Sequence, residues 1–505
     1  MPRAPFPLRP PLRLLVVLGL VGLVALVVAF APRGAAPVAQ AAAVPSDCLR
    51  TQALQVETSP APGALPQRVA LQTRRLGPGA WSYFGDQRAV AYGPWLYTGW
   101  ITNGGRVKVA RYKPGTTEPV EVVTLGTTGN DDHNNPSLMV TAKGRIVAFF
   151  SPHSGRYLPK SGPARMYYRF TVKPGGIKEW TTAKEIPVNA PGELGFTYPN
   201  PISLNADKTF LAWRGGCWKP TFSIREGTTW SPAREIVQGP KGQRPYAKYA
   251  VGLPGSGVVH MCYTESHPNQ SDTSVHCLEY KDRRFSKANG ERVAGLNELP
   301  IPAANGDVVY PYDPKLGKAW VMDVADDGHG RPLVIFSVGY YRGWQRFMYG
   351  RWTGEKWQVT EIAPAFSDGY QRHTAGLFET GGMAFDPLDP YVVYLGRVID
   401  HRAKVEKWQS FDQGLTWARA QRVSPTSRNC FRPTTAAVKG RTTVLFVCGN
   451  LKDWTHFHTS IQAVTLGAPG SAAPPADPTP NPLTATTPAT GADPVPTSTE
   501  AAPAS

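Results

Sequence analysis

The chain has 505 residues, a formal net charge of +17, and apolar residues at 41% of its positions. This length allows several average domains or one large β domain. The positive charge favours an acidic partner such as a polyanionic glycan. Nucleic acid is not expected as a partner, because the sequence contains no zinc finger, Walker loop, RNA-binding signature or basic helix.

Residues 1–43 have the layout of a secretory signal. Arginines precede an unbroken apolar run from Leu14 to Ala31, and small residues follow it. This pattern predicts a cleaved signal peptide. An uncleaved N-terminal anchor is the alternative, since the run is long enough to span a bilayer. Either form predicts a secreted or cell-surface protein, with membrane contact only through this segment if it is retained. Residues 44–80 are interpreted as an N-terminal lead-in to the folded domain that follows.

From Trp81 onward, short β-branched and aromatic runs alternate with Gly, Pro, Asn and Asp turns, which predicts an all-β fold. Residues Ser410–Trp417 match the Asp-box Ser-x-Asp-x-Gly-x-Thr-Trp, and Ser223–Trp230 repeats the pattern with Arg225 in the Asp position. Such a box is a hairpin turn whose Asp accepts backbone hydrogen bonds and whose Trp packs between sheets. A period of roughly 40–50 residues with four strands in each unit predicts a β-propeller.

Counting these units gives a seven-bladed propeller, with a six-bladed propeller as the alternative. The units are residues 81–126, 133–187, 197–238, 245–296, 317–363, 372–423 and 429–465. The propeller is therefore assigned to residues 81–466. Residues 467–505 are rich in Pro, Ala and Thr and have almost no large apolar side chains, so this tail is expected to be disordered.

Two consecutive predicted hairpins present polar side chains at the ends opposite their turns. The midpoint between His133 and His153 falls inside the first turn, and the midpoint between Tyr198 and Arg214 falls inside the second. Residues equally distant from the turn of an antiparallel hairpin face each other. We therefore expect these four side chains to form a catalytic site. Further substrate contacts are expected from Asn134, Tyr246 and His267, and more weakly from Tyr341, Arg342 and His373.

Four of the six cysteines flank predicted turns. Cys262 can therefore pair with Cys277, and Cys430 with Cys448, in disulfides that join neighbouring strands. An exported chain favours this pairing. The alternative for the first pair is a structural zinc site formed by His260, Cys262 and Cys277, whose spacing also suits the metal.

Several motifs together resemble the BNR-repeat propeller family. They are Asp132–Ser137 with its return through Gly144–Ile146, Gly381–Pro387, and the Asp-box itself. Within that family the chain is most similar to the ulvan lyases, propeller enzymes that cut uronic-acid polysaccharides by β-elimination. The resemblance implies an active site of two histidines, a tyrosine and an arginine, at His133, His153, Tyr198 and Arg214. It also implies a structural zinc.

The residue types suit this chemistry. Arg214 can hold the substrate carboxylate through two hydrogen bonds and stabilise the charge that develops beside it. His133 or Tyr198 is the candidate base, and Tyr198 the candidate acid, with a pKa expected to be lowered by the nearby cation. His153 would help Arg214 or orient His133. The reaction requires no cofactor.

The sequence therefore predicts an exported polysaccharide lyase that acts on an acidic polysaccharide. A non-catalytic propeller that binds acidic glycans is one alternative. A sialidase-like glycoside hydrolase is another, but hydrolases need two carboxylates facing one bond, and the predicted site has none.

Overall fold

A computed structural model describes residues 71–153, 165–190, 196–240, 242–340, 345–366 and 379–467, all within one compact unit, Val69–Ser505. The predicted signal or anchor, most of the lead-in, the tail from residue 468, and Tyr341, Arg342 and His373 lie outside these ranges. Within them, no helix has the length and hydrophobicity required to cross a membrane.

The regular structure of the described chain is almost all β-strand, and its strands form seven antiparallel sheets, the blades of a propeller. A first strand, β1 (Thr73–Pro78), precedes blade 1. Blades 1 and 2 contain β2 (Ala89–Tyr92), β3 (Trp95–Ile101), β4 (Arg106–Tyr112), β5 (Glu121–Thr127), β6 (Ser137–Val140), β7 (Ile146–Phe150), β8 (Tyr167–Phe170) and β9 (Lys184–Glu185).

Blades 3 and 4 carry additional short strands. Blade 3 contains β10 (Thr197–Ser203), β11 (Lys208–Gly215), β12 (Lys219–Glu226), β13 (Thr229–Trp230) and β14 (Arg234–Glu235). A short parallel pair follows, made of β15 (Val237–Gln238) and a later strand at Ile301–Pro302. Blade 4 contains β16 (Tyr246–Val251), β17 (Val259–Thr264), β18 (Val275–Lys281), β19 (Arg284–Ser286), β20 (Arg292–Gly295) and, after the strand β21 (Ile301–Pro302), β22 (Asp307–Tyr310).

The remaining three blades complete the circle. They contain β23 (Lys318–Asp326), β24 (Pro332–Gly339), β25 (Gln345–Trp352), β26 (Trp357–Pro364), β27 (Met383–Phe385), β28 (Val392–Ile399), β29 (Arg402–Gln409), β30 (Ala418–Arg422), β31 (Cys430–Val438), β32 (Arg441–Asp453) and β33 (His456–Thr465). Short 3-10 helices are formed by Asp132–Asn134, Leu296–Glu298 and Ala303–Asn305.

The innermost strands form a closed ring. Each contacts the innermost strand of the next blade, in the order β2, β6, β10, β16, β23, β27 and β31, and β31 returns to β2. This arrangement confirms the predicted seven-bladed propeller.

The last blade is closed by the first strand. β1 pairs antiparallel with β33, with Thr73 opposite Val464, and so supplies the outer strand of the sheet that also contains β31 and β32. The predicted start of the propeller at Trp81 is therefore wrong. The sequence from Thr73 did not stand out because it forms a single strand without a hairpin partner next to it in the chain.

Burial along each blade follows from the position of the strand. All eight residues of β24 are buried, because a second strand lies between neighbouring blades and is covered on both faces. All five residues of β30, an outer strand, are exposed. The central strands therefore appear in the sequence as continuous apolar runs and the outer strands as polar ones.

The predicted Asp-box forms the expected turn between the third and fourth strands of blade 6. Asp412 accepts hydrogen bonds from the backbone N of Thr416 at 2.8 Å and from its hydroxyl at 2.5 Å. Gly414 has φ +86°, and a Cβ there would lie 2.5 Å from Tyr349 Cε1. The Trp417 ring packs against Tyr349 of blade 5 at 5.0 Å between centroids. The box thus joins two blades.

Candidate active site

Two stacked imidazoles lie at the open end of the inner hairpin of blade 2. Ser137 of β6 is opposite Phe149 of β7, so the residues before β6 and after β7 are neighbours. The ring centroids of His133 and His153 are 4.3 Å apart, with 10° between their planes. The predicted facing of the two histidines is confirmed.

A single carboxylate bridges the two rings. Asp131 caps the 3-10 helix that carries His133 by accepting a hydrogen bond from the backbone N of His133. Its Oδ1 lies 2.5 Å from His133 Nδ1, and its Oδ2 lies 3.0 Å from His153 Nδ1. Asp132 Oδ1 is a further 3.0 Å contact of His133 Nδ1. His133 therefore contacts two carboxylates and His153 contacts one.

This difference separates the protonation states of the two histidines. Burial alone would lower the pKa of His133, but Asp131 and Asp132 outweigh it and raise that pKa to about 10. Burial and the charge on His133 lower the pKa of His153 to about 4. Near neutral pH His133 is therefore a cation and His153 is neutral. Because Nδ1–H of His153 donates to Asp131, its Nε2 is left as a proton acceptor.

Asn134 supports this arrangement instead of contacting substrate. Its side chain is fully buried. Its Oδ1 accepts a hydrogen bond from the backbone N of His153 at 2.6 Å, and its Nδ2 donates to the carbonyl oxygens of Thr128 and Gly129. The predicted substrate-binding role is therefore wrong, because these bonds use the amide to hold the histidine hairpin in place.

Tyr198 and Arg214 lie together at the open end of the inner hairpin of blade 3. Thr197 is opposite Arg214 across β10 and β11. The Arg214 guanidinium carbon is 6.0 Å from the centroid of the Tyr198 ring and 4.2 Å from that of Tyr246. The Tyr198 and His133 ring centroids are 5.4 Å apart. The four residues predicted to form the site are thus brought to one place.

The positive charge of Arg214 faces aromatic rings and a carbonyl. Its Nε donates to the Trp218 carbonyl oxygen at 3.3 Å, and its guanidinium carbon is 5.3 Å from the centroid of the Trp218 ring. Within the described ranges its contacts are of these kinds, and no carboxylate pairs with it. A largely buried guanidinium in such surroundings is suited to bind an incoming anion.

The prediction that Arg214 lowers the pKa of Tyr198 is wrong. Burial, and then the neighbouring Tyr246, raise the pKa of Tyr198 well above its ordinary value, and Arg214 only partly offsets them. The phenol is therefore protonated across the physiological range and acts as a proton donor. Desolvation outweighs the cation because Tyr198 is almost completely enclosed, with 4% of its surface exposed.

A buried ion network lies behind His133. Arg432 Nη1 donates to Asp132 Oδ2 at 2.5 Å, and Arg432 Nη2 lies 3.5 Å from Glu379 Oε2. Burial alone would raise the pKa of Asp132, but Arg432 and His133 lower it, so Asp132 is a carboxylate. Burial raises the pKa of Glu379, with partial compensation from Arg432. Arg432 therefore fixes the carboxylate that contacts His133.

These groups line one cavity of about 550 Å³. The predicted contacts Tyr246 and His267 line it, with ring centroids 5.5 Å apart. Burial and the nearby Arg214 lower the pKa of His267 to about 4. Two tryptophans flank the histidine pair, with Trp218 at 5.5 Å from His153 and Trp454 at 6.4 Å from His133 between ring centroids. The remaining lining includes Ser82, Tyr83, Phe84, Arg244, Gln270 and Trp320.

The residues predicted as a zinc site do not fit the metal. Cys262 and Cys277 are joined in a disulfide, as are Cys430 and Cys448, so the first pair offers no thiolate ligand. His260 instead lies between two carboxylates, with Nε2 2.8 Å from Asp326 and Nδ1 3.0 Å from Glu279. The disulfide alternative is the one found, and the zinc alternative is wrong for these residues.

One other group has the composition of a metal site. Asp131, His133 and His153 offer ligand atoms that all lie within 4.8 Å of one another. The same atoms are already paired through the two contacts of Asp131 with the imidazole nitrogens. Hydrogen bonding therefore accounts for this geometry, and the reaction considered below uses these groups as acids and bases.

Some site residues that were not predicted from the sequence nevertheless have a recognisable signal in it. Arg432 precedes a proline at the start of the inner strand of its blade, as Tyr198 does in blade 3. Both have positive φ, 52° and 55°, which is rare for large side chains and common at functional sites. Comparing the same position in every repeat would have selected Arg432. Glu379, Trp218 and Trp454 lie in connections outside the repeat pattern, where no periodic signal exists.

The fold and the site together define an Asp-box propeller with a polar cavity at the end of its inner hairpins. The chain belongs to the BNR repeat-containing family, whose model matches residues 95–365. This confirms the resemblance inferred from the sequence motifs. No curated protein sequence matches the chain.

Solved structures that align with the chain include polysaccharide lyases. An ulvan lyase described as a new polysaccharide lyase family, PL25, aligns with TM-score 0.57 and 14% identity, covering 77% of this chain and 94% of its own. A PL25 ulvan lyase bound to -[GlcA(1-4)Rha3S]- aligns with TM-score 0.57 and 13% identity, with 77% and 94% coverage. The polysaccharide lyase Uly1 aligns with TM-score 0.49 and 14% identity, with 77% and 92% coverage. At such identities the PL25 likeness shows the fold.

Proposed function

We propose that this protein is a carbohydrate-active enzyme that cleaves a uronic-acid-containing polysaccharide by β-elimination. The observation that carries the proposal is the convergence of a charged imidazole, a neutral imidazole, a protonated phenol and a guanidinium on one cavity. The PL25 ulvan lyase that was crystallised with -[GlcA(1-4)Rha3S]- has the same fold and supports this substrate class.

Binding of the uronate carboxylate is assigned to the two cations. The guanidinium carbon of Arg214 and the ring of protonated His133 both lie near Tyr198, at 6.0 Å and 5.4 Å from its ring centroid. Two positive groups aimed at one carboxylate stabilise the negative charge that grows on it as the neighbouring C–H bond breaks. Asp131, Asp132 and the Arg432 network keep His133 charged for this purpose.

Proton transfer is assigned to the two neutral groups. His153 Nε2 takes the proton from the carbon beside the carboxylate, and the electron pair of that bond forms the new carbon–carbon double bond. The glycosidic C–O bond breaks, and its oxygen takes the proton of the Tyr198 phenol. General acid and base groups of this kind each contribute about 10²–10⁴-fold to rate. The base is therefore His153, whereas the sequence had favoured His133 or Tyr198.

A hydrolase mechanism is less well supported by the same cavity. It requires two carboxylates that reach one glycosidic bond. The carboxylates among the described lining residues are Asp132 and Glu379, and Arg432 contacts both of them. Asp132 is completely buried and contacts His133 Nδ1. Both carboxylates are therefore held by the same arginine, and the described lining offers no second pair of carboxylates.

The test is the ultraviolet absorbance of the unsaturated product during incubation with ulvan and other uronate polysaccharides. Elimination creates this chromophore, whereas hydrolysis and simple binding do not. Arg214→Ala and His133→Ala should each lower kcat by about 10²–10³-fold, the usual loss for one preorganised electrostatic contact. Arg346→Ala, which removes an exposed arginine paired with Glu361, is the matched control and should retain full activity.

Absence of the chromophore with every uronate polymer would exclude the lyase. Retained binding in that case would indicate a glycan-binding propeller, and new reducing ends without absorbance would indicate a hydrolase. Export is part of the proposal, because polymeric substrates of this class lie outside the cell. The segment predicted to direct it lies at residues 1–43.

A further inference from the structure

A second cavity of about 730 Å³ lies in blade 7, apart from the proposed active site. It is a groove lined by β1, β32, β33 and two connections. We refer to it as the blade 7 groove, lined by Arg75, Pro78, Gly79, Asn103, Arg428, Asn429, Cys448, Gly449, Asn450, Phe457, His458, Thr459 and Ser460. None of these residues has a role in the chemistry proposed above.

The groove opens at the same end of the propeller as the active-site cavity. Cys448 of the groove is opposite Cys430 across β31 and β32, and Cys430 is two residues before Arg432. The groove residues near Cys448 therefore lie at the end of blade 7 that also carries Arg432. Trp454, in the turn between β32 and β33, lines the active-site cavity, while Asn450 and His458 of the same hairpin line the groove. The backbone N of Asp132 donates to the Trp454 carbonyl oxygen at 2.8 Å, which fixes the hairpin against the active site. The two cavities thus share one wall.

The charge of the groove is of one sign. Arg75 and Arg428 are exposed there, and none of the described lining residues is Asp or Glu. The chain as a whole has 37 acidic residues against 54 Lys and Arg, so a lining with two arginines and no acid is more basic than the protein average. The two guanidinium groups have no carboxylate partner within the described ranges. They are therefore available to an external anion.

The remaining lining favours a carbohydrate over a nucleic acid. Asn103, Asn450 and Thr459 supply amide and hydroxyl groups of the kind that bind sugar hydroxyls. Single-stranded nucleic acids are held largely by bases stacked on exposed aromatic rings. Phe457, the one Phe, Tyr or Trp among the described lining residues, is 1% exposed and cannot act as such a platform.

We propose that the blade 7 groove is a secondary binding site for the anionic polysaccharide, recognising carboxylate or sulfate groups at a distance from the bond that is cut. This inference rests on the proposed function for its choice of polymer. Arg75 and Arg428 bind the anionic groups, and the asparagines bind neighbouring hydroxyls. A second contact of this kind raises the effective concentration of polymer at the adjacent cavity without changing the chemical step.

Binding is measured first, by electrophoresis in gels that contain ulvan, with dextran gels as the neutral control. All proteins carry His133→Ala so that turnover does not consume the polymer. The double variant Arg75→Ala/Arg428→Ala should bind ulvan about three- to tenfold more weakly, as expected for two exposed ionic contacts. Lys143→Ala/Lys439→Ala is the matched control, because it removes two exposed charges from turns at the opposite end of blades 2 and 7.

Kinetics then distinguish this proposal from the proposed function. With His133 intact, the groove variant should raise KM for polymer about three- to tenfold, leave kcat unchanged, and cleave the shortest accepted oligosaccharide as well as the unaltered protein does. Equal retardation of the groove and control variants, or no retardation of any variant by ulvan, would refute polysaccharide binding in the blade 7 groove. If the groove variant is retarded less but the unaltered protein forms no chromophore, polysaccharide binding in the groove would be supported and the lyase activity excluded.

Discussion

Asp131→Asn tests the proposed division of labour between the two histidines. The substitution keeps the size of the side chain but removes the charge that His133 and His153 share through contacts of 2.5 Å and 3.0 Å. Among the described carboxylates, Asp132 then remains in contact with His133, at 3.0 Å. We expect His133 to lose its proton at a much lower pH than in the unaltered protein.

The magnitude follows from the raised pKa of His133. An increase from the ordinary 6.5 to about 10 corresponds to roughly 5 kcal/mol of preferential stabilisation of the cation, at 1.36 kcal/mol per pKa unit. Asp131 is the larger of the two carboxylate contributors. Its loss should therefore lower the pKa of His133 from about 10 toward its ordinary value, so that the imidazole loses its proton closer to neutral pH.

The assay is the pH dependence of kcat/KM, measured by the absorbance of the unsaturated product. In the unaltered protein activity should rise as His153 loses its proton near pH 4 and fall as His133 loses its proton near pH 10. In Asp131→Asn the alkaline limb should shift by about two pH units or more toward neutrality. The plateau should also fall by roughly 10²-fold, because His153 loses the partner that fixes its tautomer.

Asp326→Asn is the control, because it also removes a carboxylate from a histidine pair but acts on His260, which does not line the active-site cavity. It should leave the pH profile unchanged. An Asp131→Asn enzyme with an unchanged alkaline limb would refute the assignment of His133 as the cation. A shifted limb with an undiminished plateau would refute the role of Asp131 in orienting His153.

Three further predictions concern stability. Burial lowers the pKa of His260, but Asp326 and Glu279 outweigh it and raise that pKa. The stability gained from the charged imidazole is complete below about pH 6.5 and is lost as pH rises through the folded pKa. Urea denaturation of His260→Gln should therefore show a deficit of about 2–4 kcal/mol at pH 6 that shrinks at pH 9. Arg432→Ala leaves the buried Asp132 and the partly buried Glu379 without their cation and should lower stability by about 3–5 kcal/mol in the same assay, and Arg432→Lys should recover only part of it. Reduction of the Cys262–Cys277 disulfide, whose cysteines are 15 residues apart, should cost about 3 kcal/mol, whereas EDTA should leave the unfolding midpoint unchanged; a drop in midpoint with EDTA would restore the zinc hypothesis.

The repeat made the fold predictable from the sequence. Each blade repeats one pattern of apolar central strands and polar outer strands, and the Asp-box at Ser410–Trp417 marks a turn with known chemistry. The exception was β1, which has no partner near it in the chain. Its pairing with β33 depends on closure of the entire ring, which no local pattern reports.

The candidate site was predictable where hairpin symmetry applies. His133, His153, Tyr198 and Arg214 are placed by the registers of two hairpins, and those registers follow from the positions of the turns. Residues whose role depends on burial were not predictable. Whether a cation or desolvation controls the pKa of Tyr198 depends on enclosure by side chains from several blades, and the same holds for the amide of Asn134.

Closure of blade 7 by β1 also sets the order in which the chain can finish folding. The first described strand stays without its sheet until β33, which ends at Thr465, has been synthesised. Until then the strand edges of an open ring are exposed, and such edges promote aggregation. A chain that is truncated before β33 would therefore be prone to aggregate. The complete propeller can form only after synthesis of its last strand.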